Sequence, residues 1–188
     1  RAIRDGAMEL LHSVLSENVL QFEIRELCIR SIERYARDPL NLRSMVSHGA
    51  IEAIATAVGI DYDKVMKEQG FGKVAGRSNQ ATFLFEDPKE QANTMALLCV
   101  RSICRLSCGI GAPTIDLVEF GAVNILRAMS EIYYRNMSDD NRATATIQTL
   151  RHDIAAAIGS LSYSGDLRRI VREGAVACMV ECAKSNNH

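Results

Sequence analysis

A chain of 188 residues with 47% apolar composition has enough apolar side chains for a sizeable core, and its formal net charge of −1 supplies no global field for nucleic acid or an anionic membrane surface. No apolar run approaches the roughly 18–20 residues that span a bilayer and no signal peptide opens the sequence, so the expected compartment is the cytoplasm, with nuclear or cytoskeletal association compatible. Aromatics make up only 5%, Trp is absent and three prolines occur, a composition suited to packed helices and an all-α class.

In chain order, Met8 to about Ser16 reads as a short helix, followed by a turn at Glu17-Asn18 and an amphipathic helix from about Gln21 to Arg37. Leu27, Cys28, Ser31, Ile32 and Tyr35 give that helix its apolar face. Pro39 ends it and starts a short helix through Leu40, Leu42, Met45 and Val46, which Gly49 breaks. Residues 61–86, with Gly70, Gly72 and Gly76 among mixed charges, predict an inserted loop between a medium helix and a long one. Lys73 and Arg77 lie in that segment, but the Gly-Lys-Ser/Thr of a phosphate loop is missing. If the loop is ordered, Val65, Phe71, Phe83 and Phe85 would join the core. Asp87-Pro88 predicts an N-cap and first turn for a long helix ending near Leu106, and Pro113 starts another short helix that Gly121 ends. A medium helix from Ala122 to about Tyr134, a polar loop through residues 136–140 and a long helix ending near Tyr163 follow. Asp166 to Glu173 and Ala175 to about Lys184 complete the series.

One motif punctuates this order. Val46-Ser47-His48-Gly49-Ala50, Val118-Glu119-Phe120-Gly121-Ala122 and Val171-Arg172-Glu173-Gly174-Ala175 are copies of one pattern, and Ile3-Arg4-Asp5-Gly6-Ala7 is a fourth. The glycines are 43, 72 and 53 residues apart, and each Gly-Ala is followed by apolar residues at fixed offsets, among them Met8, Ile51, Val123 and Val176. A short, a medium and a long helix per unit is the implied organisation, with insertions in the second and third units. Repeat 1 covers about 1–38, repeat 2 about 39–111 including the loop 61–86, repeat 3 about 112–164 and a partial repeat 4 about 165–188. Arg1 falls inside one unit and His188 inside another, so the chain reads as an excerpt truncated at both ends.

Over essentially its full length the chain resembles the armadillo repeat family. The family joins a long helix reading Ala-Leu-x-Asn-Leu-Ala to a short helix ending in Gly-Ala. The counterparts here are Ser31-Ile32-Glu33-Arg34-Tyr35-Ala36, Ser102-Ile103-Cys104-Arg105-Leu106-Ser107 and Ala157-Ile158-Gly159-Ser160-Leu161-Ser162. HEAT repeats are the structural competitor, with two helices per unit and no recurrent Gly-Ala. The resemblance implies a right-handed α-α superhelix, an armadillo-type solenoid of about four repeats. It also implies a concave face lined by the third helices, where family members such as importin alpha and beta-catenin use the Asn of that block to clamp an extended peptide. Arg34, Arg105 and Ser160 stand at that position here. Asparagine both donates and accepts, whereas arginine only donates and carries a permanent charge.

One helical turn earlier stand Arg30, Arg101 and Ala156. Arg30 with Arg34 and Arg101 with Arg105 would then form a positive strip suited to carboxylates or phosphates. The same arginines suit salt bridges with Glu26, Glu33 or Glu90, and the sequence leaves both readings open. The candidate partner-binding set is Arg30, Arg34, Arg101, Arg105 and Ser160. Cysteines 28, 99, 104, 108, 178 and 182 are expected as buried reduced thiols, since a zinc site needs about four convergent ligands and only the pairs Cys104/Cys108 and Cys178/Cys182 lie one turn apart. His48, beside a repeat glycine, reads as a turn residue, and His152 adds no ligand set.

No catalytic triad spacing, metal site or cofactor motif is found, and the expected role is a non-catalytic protein-interaction scaffold or adaptor. The expected partner is a protein or peptide, an acidic one by the arginine strip, with no membrane or nucleic-acid role. Two alternatives stand beside it: an intramolecular regulatory armadillo domain of a larger enzyme, and an importin-alpha-like transport adaptor that the absent asparagines disfavour.

Overall fold

The structure, a computed structural model, describes residues 6–18, 21–68, 88–136, 144–164 and 166–184. The described residues are helices joined by turns. They comprise α1 (Ala7–Glu17), α2 (Phe22–Tyr35), α3 (Leu42–Ser47), α4 (Ala50–Ala57), α5 (Tyr62–Glu68), α6 (Lys89–Cys108), α7 (Thr114–Glu119), α8 (Ala122–Asn136), α9 (Thr144–Leu161), α10 (Leu167–Arg172) and α11 (Ala175–Lys184). No helix among them is long and apolar enough to cross a membrane.

The glycine punctuation has a backbone cause. Gly6, Gly49, Gly121 and Gly174 all have positive φ, between 79° and 100°, and each stands immediately before a medium helix: α1, α4, α8 and α11. A side chain in that left-handed region would press its Cβ on the neighbouring carbonyl, so the sharp re-entry after a short helix selects glycine. Short helices α3, α7 and α10 precede three of these glycines. At the other end of α3, a 3₁₀ turn over Pro39–Asn41 is capped by Asp38, whose Oδ1 accepts from the Leu40 N–H at 3.0 Å. Asp166 caps α10 in the same way, accepting from the Arg169 N–H at 3.0 Å.

The long helices α2, α6 and α9 are neighbours in chain order, with α6 in contact with both of the others. Medium helix α4 contacts α1, and α11 contacts α8. The core therefore runs through the units as one cluster, from Ile29, Ile32 and Ile54 through Val100, Ile103 and Leu106 to Leu126, Leu150 and Ile154. Full burial of each such side chain contributes about 1.5–3 kcal/mol. Among the described residues the charged side chains of Arg25, Glu33 and Glu173 are buried as well, Arg25 most deeply. Arg25 on α2 donates through Nη1 to the carbonyl of Ala57, the last residue of α4, at 2.9 Å, and its guanidinium lies 5.8 Å from the Phe22 ring. A cation at a helix C-terminus meets the negative end of the helix dipole and an orphan carbonyl together.

Two expectations change. The segment predicted as a loop over 61–86 begins as helix α5, whose Val65 packs against the core and whose Tyr62 hydroxyl donates to the Phe120 carbonyl at 3.1 Å. The rest of that segment, Asp87 and residues 137–140 of the polar loop lie outside the described residues. The cysteines are free thiols as expected, but not all are buried: Cys108 is exposed and Cys104 half-buried. They fall on the last turns of α6, on the side facing the α9 backbone, where Cys108 Sγ reaches the Ala156 carbonyl at 3.5 Å.

Candidate functional site

The three long helices present Arg30 and Arg34 from α2, Arg101 and Arg105 from α6, and Ser160 from α9. All five lie outside the buried core. Arg30 and Arg34 are exposed, while Arg101, Arg105 and Ser160 are half-buried. The i,i+4 spacing keeps each arginine pair one turn apart on a single face.

What the sequence left open is decided by carboxylates on these helices. Arg30 is held along its own helix, with Nη2 2.6 Å and Nε 2.9 Å from Glu26 Oε1. Arg105 reaches from α6 to α2, its Nε donating to Glu33 Oε1 at 3.0 Å, and Arg37 Nη2 approaches the same oxygen at 3.7 Å. Arg101 reaches the other way, its Nε 3.7 Å from Asp153 Oδ2 on α9. Arg34 makes no ion pair with a described residue. Glu26 and Glu33 are among the partners the sequence offered, whereas Asp153 is the organiser of this surface that sequence reasoning missed. Asp153 carried a signal, because it occupies the helix position held by Leu27 and Leu98 in the other long helices. A carboxylate in an apolar register needs a cationic neighbour to offset its desolvation.

Chemically, these contacts orient the arginines without exhausting them. A guanidinium has five N–H donors. Among the described residues Arg105 donates to Glu33 through Nε at 3.0 Å, while Arg101 approaches Asp153 at ion-pair distance, 3.7 Å, and a guanidinium bound through Nε retains its Nη edge for a second, bidentate acceptor. Beside them Cys104 and Cys108 have Sγ atoms 3.7 Å apart. Burial, and then the adjoining Cys108, push the Cys104 thiol up to about 12, so it stays protonated and a poor nucleophile at neutral pH. Among the described residues no three His, Cys, Asp or Glu side chains converge as a metal site would require.

A concavity of about 670 Å³ opens elsewhere, among α1, α3, α4, α5 and the turn after α7, lined in part by Glu9, His12, His48, Glu52, Tyr62 and Phe120. Its histidines are engaged by backbone. His12 Nε2 lies 2.9 Å from the Gly49 carbonyl, and His48 Nδ1 lies 2.6 Å from the Ser44 carbonyl, so His48 closes α3 as the turn residue expected.

Searches of protein-family models, curated proteins and solved structures returned no match for this chain.

Proposed function

We propose that the chain is a right-handed armadillo-type solenoid of about four repeats, and that it acts as a non-catalytic scaffold binding an extended acidic segment of a partner across α2, α6 and α9. The observation that carries this reading is the pre-orientation of the arginines. Arg105 is held through Nε by Glu33 and Arg101 lies at ion-pair distance from Asp153, which lowers the side-chain entropy lost when a partner carboxylate binds. Arg34 adds a cation with no ion pair to a described residue. The left-handed glycine before a medium helix, found four times and three times with a short helix described before it, supports the family reading.

The test is a peptide array of extended acidic, neutral and basic sequences probed with the folded chain, followed by titrations at two salt concentrations. Acidic peptides should be retained, binding should weaken as salt rises, and Arg34→Glu should reduce affinity at least about tenfold, the equivalent of 1.4 kcal/mol. Retention of basic peptides, or equal retention of all three sets, would overturn the acidic-partner reading.

A further inference from the structure

The long helices end beside a second row of residues. Arg34, Arg105 and Ser160 fall in the last turns of α2, α6 and α9, and a few residues further on, where the chain steps toward a short helix, stand Leu40, Ile110 and Tyr163. These three are the most exposed large apolar side chains among the described residues, at 89%, 88% and 87%. A single apolar side chain in solvent is ordinary, but one at the same step after each of three successive long helices is a pattern. Leu40 and Ile110 have described helices before and after them in the chain and are as open as Tyr163, so packing of one unit on the next does not cover this step.

The three turns adjoin. The 3₁₀ turn Pro39–Asn41 touches α3, α3 touches α7, and α7 touches the 3₁₀ turn Ser162–Ser164 that holds Tyr163. The turn carrying Ile110 packs directly on α3, where a Cβ added at Gly109 would run into the Leu42 side chain. Arg169 of α10 donates through Nη2 to the Glu119 carbonyl at the end of α7 at 3.2 Å, which ties the short helix after Tyr163 to the one after Ile110. The apolar side chains thus form a row along the edge where the long helices end, and it crosses the units in the same order as Arg34, Arg105 and Ser160.

We infer that the partner segment proposed above is amphipathic: its carboxylates meet Arg34 and Arg105, and large apolar side chains of the same segment rest on Leu40, Ile110 and Tyr163. The inference rests on the scaffold reading and adds the other half of the partner's chemistry. The two rows are close, because the few residues between them, in helix or tight turn, advance the chain by about 5–10 Å. A purely acidic segment would leave the apolar row in water. Apolar groups of the segment placed on that row would remove its surface from solvent, a gain that salt does not screen.

Calorimetric titration of the folded chain with two glutamate-rich peptides tests it, one with spaced leucines and one with serines in their place. The leucine peptide should bind at least about tenfold tighter, with a more negative heat-capacity change, and its advantage should persist as salt rises. Leu40→Ser/Ile110→Ser/Tyr163→Ser should abolish that advantage and leave the affinity for the serine peptide unchanged, whereas Arg34→Glu should weaken both peptides. Circular dichroism checks that the triple variant folds, and Leu40→Gln/Ile110→Gln replaces it if it does not, with a partial loss expected. Equal affinities for the two peptides, or a leucine advantage that these variants keep in full, would overturn the inference and leave the scaffold reading standing. If neither acidic peptide binds, the two readings fall together.

Discussion

Arg105 and Glu33 are 72 residues apart in sequence and 3.0 Å apart in space, and theirs is the shortest of the ion pairs found between two long helices among the described residues. Glu33 is buried, so the bond satisfies a carboxylate that has left water. Replacing Arg105 with Ala would leave Glu33, among the described residues, with Arg37 at 3.7 Å as its remaining ion-pair partner. The expected loss is about 1–3 kcal/mol, which for a domain of this size lowers the melting temperature by about 2–4 °C per kcal/mol. Arg34→Ala, at an exposed position, should stay within about 0.5 kcal/mol. Calorimetry on the two variants decides this, and equal melting temperatures would mean that Arg105 has no structural role.

The glycines at positive φ differ in how much room surrounds them. A Cβ at Gly49 would lie 2.7 Å from His12 Nε2, a side chain held by the Gly49 carbonyl itself, whereas at Gly111, also at positive φ, it would meet nothing within 4 Å. Gly111→Ala should therefore cost only the backbone term, about 1–2 kcal/mol, and Gly49→Ala that amount plus about 1 kcal/mol for displacing His12. Chemical denaturation of both variants measures the difference, and a costlier Gly111→Ala would contradict the packing around Gly49.

Tyr62 joins α5 to the turn before α8. Burial first, then the charges of Glu52 and Asp63, push its phenol up to about 12 from the usual value near 10. The folded state holds this proton more tightly than the unfolded state. Its contribution is therefore full below pH 10 and is lost as pH rises from about 10 to about 12. Tyr62→Phe should lose about 0.5–1.5 kcal/mol at neutral pH through the missing bond to the Phe120 carbonyl, and should show a shallower decline across that alkaline window. Parallel slopes for the two proteins would count against the burial of Tyr62.

The thiols at the end of α6 should react unequally. At pH 8 a thiol titrating near 12 is about 10⁻⁴ ionised, so Cys104 is nearly inert, and burial raises Cys28 and Cys99 as well. Iodoacetamide on the folded chain should modify the exposed Cys108 first, as read by peptide mass spectrometry. Alkylation of Cys104 ahead of Cys108 would mean that the last turn of α6 opens in solution.

Much of the helical order was legible because its signals are local. The prolines at 39 and 113, the aspartates at 38 and 166 and the four Gly-Ala steps act on backbone within a few residues, so their positions mark where helices stop and restart. Helix α5 was missed for the same reason in reverse. Its seven residues, charged and followed by glycines, carry weak helical preference, and Tyr62 docks through a partner 58 residues away.

By itself, the sequence determined the all-helical class, the placement of left-handed turns at glycine and the spacing that sets Arg30 with Arg34, and Arg101 with Arg105, on common helix faces. Only the tertiary structure decided what those arginines meet. Glu33 comes from α2 and Asp153 from α9, and their approach to Arg105 and Arg101 depends on how far one long helix is shifted along the next. Such a shift is set by how the buried side chains of neighbouring helices pack, Ile32, Ile103 and Leu150 being in one core cluster, a property of packed surfaces that no single helix carries.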